Sequence, residues 1–283
     1  MNGVFLVHKD INLTSHDVVW RIKKKFQVNK AGHTGTLDPL ASGLLIVCVG
    51  KATKLTFLFD KLCKTYQGTF LFNRKYDTLD VTGKLIDEKN VVIDENLLKT
   101  SFKAFHQQTY DQIPPMFSAI KVNGQKMYHL ARQNKTIALP LKKVIIHHLE
   151  ATSPLCHNQI SFLTRVSKGT YIRSLAQDIA SKMDTYGALS SLQRVAIGSY
   201  LLKNAKTLEQ LTVNDCIPDT SLFKNYDQIV LNDYLIKLVK NGVYLDKRQR
   251  ITEKPFIVKD SNNNFIAYYD VLDKNKYYPR YLF

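Results

Sequence analysis

Apolar and polar positions along this chain follow two rhythms, one of period two and one near 3.6, and the changes between them mark its elements. Residues 3–8 read as a short strand. Thr14-Ser15-His16-Asp17 then opens a helix in capping-box style, with the Asp three residues after the Thr. Val18, Val19, Ile22 and Phe26 follow at helical spacing and predict a core face, while Arg21, Lys23, Lys24 and Lys25 largely take the other face. Gly32 to Gly43 reads as a loop, and the apolar run Leu44 to Val49 as a buried strand. Lys64 to Phe72 predicts another strand, with Tyr66, Phe70 and Phe72 on one face.

Further along, Asp94 is placed to cap a helix carrying Leu97, Leu98, Phe102 and Phe105. Ile113-Pro114-Pro115 breaks regular structure. Ser118 to Val122 predicts a strand, Gln125 to Arg132 a short helix, residues 135–150 a β-rich stretch, and Asn158 to Val166 a strand. Thr170 is expected to cap a helix with Tyr171, Leu175, Ile179 and Met183 in its apolar stripe. Strands and helices mix without a βαβ rhythm, so the fold class is α+β with a mixed, largely antiparallel central sheet flanked by helices. The pattern weakens over residues 203–228, and 229–283 reads as a small all-β appendage rich in Tyr and Lys. The expected division is 1–205, a connecting segment 206–228, and a C-terminal unit 229–283.

Charge changes this picture most. The 283 residues hold 40 Lys and Arg against 24 Asp and Glu, a net +16, which points to a polyanionic partner. A general lysine bias is the alternative source of such a surplus. The four cysteines lie far apart with no C-x-x-C, which predicts reduced thiols in a cytoplasmic protein. Cys48, inside the apolar run, reads as a small core residue. The first ten residues lack the pattern of a signal peptide, and no apolar run approaches the length of a membrane span. Gly50-Lys51 belongs to no phosphate-binding loop, and no G-x-G-x-x-G, H-E-x-x-H or G-x-S-x-G occurs. His147-His148, in tandem on a strand, point to opposite faces and make a poor metal site. No cofactor, metal or membrane partner is expected.

The most informative stretch is Gly32-His33-Thr34-Gly35-Thr36-Leu37-Asp38-Pro39-Leu40-Ala41-Ser42-Gly43. Its three glycines let backbone approach a ligand, and its carboxylate precedes a rigid proline. Taken alone, an Asp before Pro is a turn former. As a whole the string resembles the signature of the TruB family of bacterial tRNA pseudouridine synthases, which isomerise the T-loop uridine conventionally numbered 55. Further segments match in the family's order: Leu62-Cys63-Lys64-Thr65-Tyr66, Thr78-Leu79-Asp80-Val81-Thr82-Gly83, Ile113 to Lys121 with Tyr128 to Arg132, Lys168 to Leu175, and Leu192-Gln193-Arg194. The likeness covers roughly residues 3–200. It departs at Lys9-Asp10-Ile11-Asn12, where the family usually has Lys-Pro-x-Gly, at Phe117 and at Gln193. The family usually ends in a PUA-type RNA-binding domain, of which 236–244 carries a faint likeness.

The resemblance implies a catalytic domain that makes Asp38 the nucleophile, seats the extruded base and its neighbours with His33, packs Tyr66 on the uracil, brings Tyr171 and Arg173 to the site, and lines the uracil pocket with Leu192. The chemistry agrees: breaking N1–C1′ and joining C5 to C1′ needs no redox change, only an anionic group beside the sugar and the C6 edge of the base. A carboxylate kept ionised in a dry pocket needs a fixed cation, and the expected pair is Asp38 with Arg173. Attack at C6, attack at C1′ and a glycal route all place the same carboxylate there. The Tyr171 hydroxyl is a candidate to relay the proton leaving C5, although the residue also fits plain packing. Lys23, Lys24 and Lys30, next to the loop in sequence, are expected to meet RNA backbone, against the alternative of a solvated helix face. The expected partner is a tRNA T-stem-loop bound by a monomer. Two other readings stay open: a non-catalytic RNA-binding or RNA-folding protein on the same surface, and a relative guided to another RNA by a small-RNA complex.

Overall fold

The structure, a computed structural model, describes residues 1–117, 121–122, 125–126 and 140–283. The chain begins with strand β1 (Gly3–Lys9), whose side chains alternate into two cores. Helix α1 (Ser15–Lys25) follows. Both halves of its capping box form: the Thr14 side chain accepts from the Asp17 N–H, and the Asp17 carboxylate accepts from the Thr14 N–H at 2.8 Å. Val18, Val19 and Ile22 are buried as the spacing predicts.

The expected loop starts later than its first glycine, because Ala31–His33 forms a short strand, β2, against β3 (Ser42–Val49). The helical turn α2 (Phe57–Asp60) leads into β4 (Lys64–Phe72). A small hairpin of β5 (Arg74–Tyr76) and β6 (Leu85–Glu88) precedes helix α3 (Glu95–Phe105), capped by Asp94 through the Leu97 N–H at 2.7 Å. Leu97 lies outside the core, and Leu98, Phe102 and Phe105 lie within it. Then come β7 (Gln108–Gln112), the two-residue strands β8 (Lys121–Val122) and β9 (Gln125–Lys126), β10 (Lys142–Ala151) and β11 (Gln159–Val166). Gln125–Lys126 is therefore strand rather than the start of the expected helix. The rest of that helix, residues 118–120 and residues 135–139 lie outside the described residues.

Helix α4 (Ile172–Ser181) begins one residue later than expected, with Tyr171 as its N-cap. The Thr170 hydroxyl instead donates to the Ser167 carbonyl at 3.0 Å. Strands β12 (Gly187–Ile197), β13 (Tyr200–Leu201) and β14 (Ile217–Pro218) complete the main sheet. Among the described residues it has ten strands, in the order β14-β1-β3-β12-β4-β11-β10-β7, with β13 on β12 and β2 on β3. Strands β3 and β12 pair in parallel, over Gln193 and Arg194 opposite Ser42 and Gly43. The α+β, largely antiparallel expectation holds. One core packs α3 and α4 onto β4, β10 and β11, and another packs α1 onto β1 and β3.

A second sheet follows, ordered β15-β17-β18-β19-β16, from β15 (Asp227–Val230), β16 (Leu245–Asp246), β17 (Phe256–Lys259), β18 (Phe265–Asp273) and β19 (Lys276–Leu282). It is not all-β as expected: helix α5 (Asp233–Lys240) packs Ile236 and Val239 onto it. Phe223, Ile257, Tyr268 and Tyr281 join this sheet to Val4, Leu44 and Ile46 of the first. The four cysteines are free, with Cys48 fully buried in that joint. No helix of the described residues is long and apolar enough to cross a membrane.

One buried charge supports the turn before α1. Lys9 is fully buried at the end of β1, and its ammonium donates to the carbonyls of Asp10 (2.9 Å) and Leu13 (2.7 Å). Burial lowers its pKa to about 8, against the opposing pull of Asp38. Between about 8 and the ordinary 10.5, the unfolded chain holds a proton that the folded chain has released, so folding gains stability as pH rises. The stability of wild type minus that of Lys9→Met should therefore rise by roughly 1.4 kcal/mol per pH unit over that window. Urea midpoints at pH 7 and pH 9.5 measure it, and a flat difference contradicts it.

Candidate active site

Asp38 is presented by a short segment that is pinned at every turn. Its carbonyl accepts from the Ala41 N–H at 3.0 Å, closing a β-turn with Pro39 at the second position. The Pro39 carbonyl accepts from the Asn12 N–H at 2.8 Å. Asn12 adopts φ 65°, and it stands where the resembled pattern has glycine; Asn tolerates that left-handed region. Ser15, the first residue of α1, grips Leu37 from both sides: its Oγ accepts from the Leu37 N–H at 2.8 Å and donates to the Leu37 carbonyl at 3.1 Å.

Arg194 holds the other end. Its side chain is 1% exposed, and it donates from Nε to the Leu44 carbonyl (2.8 Å) and from Nη2 to the Gly35 carbonyl (3.1 Å). Gly43 needs to be glycine on two counts: its φ is 108°, and a Cβ would fall 2.4 Å from the Arg194 carbonyl oxygen.

The second arm of the site comes from α4. Gln112 on β7 pairs with the Tyr171 peptide, accepting from its N–H at 2.8 Å and donating to its carbonyl at 3.1 Å. The same amide donates to the Tyr110 hydroxyl, which donates to Asp178 of α4 at 2.8 Å. Burial pushes the Asp178 carboxyl up, opposed by these hydrogen bonds. The start of α4 is thus fixed from β7, and with it Arg173.

Arg173 reaches back into the site with its side chain only 7% exposed. Its Nε lies 3.0 Å from the Asp38 carboxylate. Nη1 donates to the Thr78 carbonyl at 2.8 Å and lies 3.5 Å from Asp80, and Nη2 donates to the Phe117 carbonyl at 3.0 Å. The expected pair is present, but one nitrogen faces Asp38 rather than two. Among the described residues the Asp38 carboxylate has no other hydrogen-bond or ion-pair partner, and its side chain stays 40% exposed. Asp80 differs: it is buried and accepts from Thr78 and Thr82 side chains and from the Thr82 N–H.

These groups open onto a cavity of about 500 Å³. Tyr66, Tyr171 and Leu192 form its apolar wall, with Asp38 and Arg173 beside them. Four basic residues, Lys64, Lys168, Arg173 and Arg194, and two carboxylates, Asp38 and Asp60, belong to this lining, an excess of positive charge. The site can hold a planar ring against aromatic and aliphatic side chains, offer a carboxylate at its edge, and balance an anion nearby.

The other expected residues lie elsewhere. His33 is on β2, outside the cavity wall, with its Nδ1 buried and unpartnered among the described residues. Burial, then Arg194, then His16 lower its pKa below the ordinary 6.5. Lys23, Lys24 and Lys30 are exposed and do not line the cavity. Lys25 is already engaged, donating to the Leu208 carbonyl at 2.6 Å and the Glu209 carbonyl at 3.0 Å. Ser15, Asp80 and Arg194 are structural members of the site to which the sequence alone assigns no role. Arg194 alone leaves a signal, a charged residue in phase with the buried Leu192 and Ala196. His147 and His148 do diverge: one faces Cys63 (3.3 Å), the other Glu150 (3.4 Å).

The sequence matches the family described as TruB family pseudouridylate synthase (N terminal domain) over residues 23–172. It is 68% identical over 283 residues to tRNA pseudouridine synthase B of Aster yellows witches'-broom phytoplasma (strain AYWB), covering 100% of both chains. It is 34% identical over 277 residues to tRNA pseudouridine synthase B of Borreliella burgdorferi (strain ZS7), covering 98% of this chain and 97% of that one. Among solved structures, a Cbf5-Nop10-Gar1 complex gives a TM-score of 0.69 at 21% identity, over 96% of this chain and 79% of that one. An H/ACA RNP bound to a substrate RNA containing 2'-deoxyuridine gives 0.69 at 20%, over 99% and 84%. At such identities the likeness speaks for the fold.

Because the Arg194 charge adds to the lowering of the His33 pKa, Arg194→Met should raise that pKa toward 6.5. It should also cost about 2–4 kcal/mol of stability by orphaning two carbonyls. Imidazole titration by NMR and urea unfolding read the two effects, and an unmoved His33 titration contradicts the first.

Proposed function

We propose that this chain, which belongs to the TruB family of pseudouridylate synthases, converts uridine to pseudouridine in tRNA, and that its target is the T-loop uridine conventionally numbered 55. The observation that carries the reading is the Asp38 carboxylate, set 3.0 Å from a buried guanidinium and otherwise unpartnered among the described residues, at the wall of a nucleoside-sized cavity.

In this reading Asp38 is the nucleophile. The reaction breaks N1–C1′, turns the uracil, joins C5 to C1′, and moves the C5 proton so that N1 ends protonated. Asp38 acts beside the sugar and the C6 edge, and Arg173 supplies the fixed cation that balances and aims it. Tyr66 stacks on the uracil while it turns, Leu192 closes the pocket, and the Tyr171 hydroxyl relays the C5 proton. His33, outside the cavity wall, seats a neighbouring part of the RNA. Extruding a stacked base costs a few kcal/mol, and phosphate contacts from the basic surface offset it. Lys23, Lys24 and Lys30 supply part of that surface.

The division proposed is a catalytic unit 1–205, a connector 206–228 and an RNA-binding, PUA-like unit 229–283. The protein works as a cytoplasmic monomer on the T-stem-loop. A purely RNA-binding role would not call for the Asp38–Arg173 pair, since binding alone needs no carboxylate there.

Incubation with an unmodified tRNA transcript, followed by pseudouridine mapping, should show one modified position in the T-loop with wild type and none with Asp38→Asn. The variant should still bind the transcript. Product from Asp38→Asn, or none from wild type, contradicts the reading. Reversing Lys23, Lys24 and Lys30 to Glu should flatten the plot of log affinity against log salt. The expected change in slope is roughly 0.7–0.9 for each phosphate that these side chains neutralise, and an unchanged slope removes them from the interface.

A further inference from the structure

The chain has a single tryptophan, and it is not in a core. Trp20 lies on the outer face of α1 and is 57% exposed. A large aromatic left in water on a helix whose other apolar residues are buried calls for a reason. Single exposed apolar side chains are common, so exposure alone is not enough. The surroundings add the rest.

His16, Trp20 and Lys24 follow at four-residue spacing, so they share one helix face, and all three are exposed. Lys23 flanks them, and Arg21 stands on the adjoining flank. The Lys24 ammonium sits 5.3 Å from the Trp20 ring centroid. The one acid of the helix, Asp17, is committed to the capping box with Thr14. At the other end of this face, His16 is near enough to influence the titration of His33. Ser15, one residue earlier, holds Leu37 beside Asp38. Trp20 therefore stands roughly 8 Å along the helix axis from the residue that grips the Asp38 segment. The face runs outward from the candidate active site as imidazole, indole and ammonium.

We propose that Trp20 is a stacking platform for an unpaired base of the tRNA substrate, with Lys23 and Lys24 taking the flanking phosphates. The inference rests on the tRNA reading above and extends it to a surface outside the cavity. An indole presents a flat face that accepts any base, and cations around it neutralise the backbone on either side. A protein partner would find an apolar area of one side chain ringed by like charges, which fits a polyanion better than an apolar surface.

The single tryptophan makes the test direct. Asp38→Asn, which should bind without turnover, is titrated with an unmodified tRNA transcript while indole fluorescence is followed. Quenching should saturate with the binding curve, and a fully paired RNA duplex of equal length should bind without comparable quenching. Trp20→Ala, a change at an exposed position, should weaken tRNA binding roughly 5- to 50-fold. In an Asp38-intact chain it should raise KM for tRNA by a larger factor than it lowers kcat. Trp20→Tyr should recover most of the loss, which a general loss of charge or fold would not show. Fluorescence that ignores tRNA, or Trp20→Ala binding with wild-type affinity, overturns the proposal. Wild-type pseudouridine formation, measured in parallel, separates the two failures: if it proceeds while Trp20→Ala is silent, only the platform is lost.

Discussion

A single guanidinium connects three parts of the chain that lie far apart in sequence. Arg173 contacts Asp38 from the segment between β2 and β3, Thr78 and Asp80 from the turn after β5, and the Phe117 carbonyl after β7. A buried cation is costly unless its donors are met, and here each nitrogen has an acceptor. The planar fork lets one side chain serve three directions at once, which an ammonium on a flexible stem would not do with fixed geometry. Asp80 is buried and heavily hydrogen-bonded, so it anchors the guanidinium from behind. Asp38 meets the same group through one nitrogen and keeps its remaining lone pairs for the cavity. Two carboxylates beside one arginine thus have different environments, one committed to structure and one open to the cavity.

The rest of the site keeps that arrangement stiff. Ser15 holds the backbone before Asp38, Arg194 holds it at Gly35 and again at Leu44, and Asn12 ties down its turn. On the opposite side, the Gln112 amide fixes the Tyr171 peptide and so the start of α4. These contacts run between elements rather than within them. A carboxylate on a loop gains the precision of the sheet because the loop is bonded to strands and helices at each step. The same loop packing brings α1, with its exposed basic face, up against the segment that carries Asp38.

The sequence exposes the parts whose causes are local. The capping box of α1, the strand Lys64–Phe72 and the Asp94 cap each depend on residues within a few positions, and each forms. The Asp38–Arg173 pairing follows from a resemblance joined to the need for a cation beside a buried carboxylate. What stays hidden depends on distant partners. Thr170 has the chemistry of a helix cap, yet the helix starts after Tyr171, whose peptide is held by Gln112 from another strand. Asp80 sits in a segment that matches the resembled family, yet nothing nearby announces that it faces an arginine far along the chain. Helix α5 does leave a local trace, since Asn232 caps it and Leu235, Ile236 and Val239 recur at helical spacing. The Tyr- and Lys-rich strands around it mask that trace.

Single-turnover pseudouridine formation by Arg173→Ala and Arg173→Lys, at tRNA concentrations that saturate each variant, measures how far Asp38 depends on the Arg173 guanidinium. Both variants should retain bound tRNA and lose the chemical step by a factor of at least about 100, on the scale of removing one fixed charge from a preorganised site. Wild-type rates in Arg173→Ala would contradict that dependence, because they would mean that Asp38 needs no guanidinium to act.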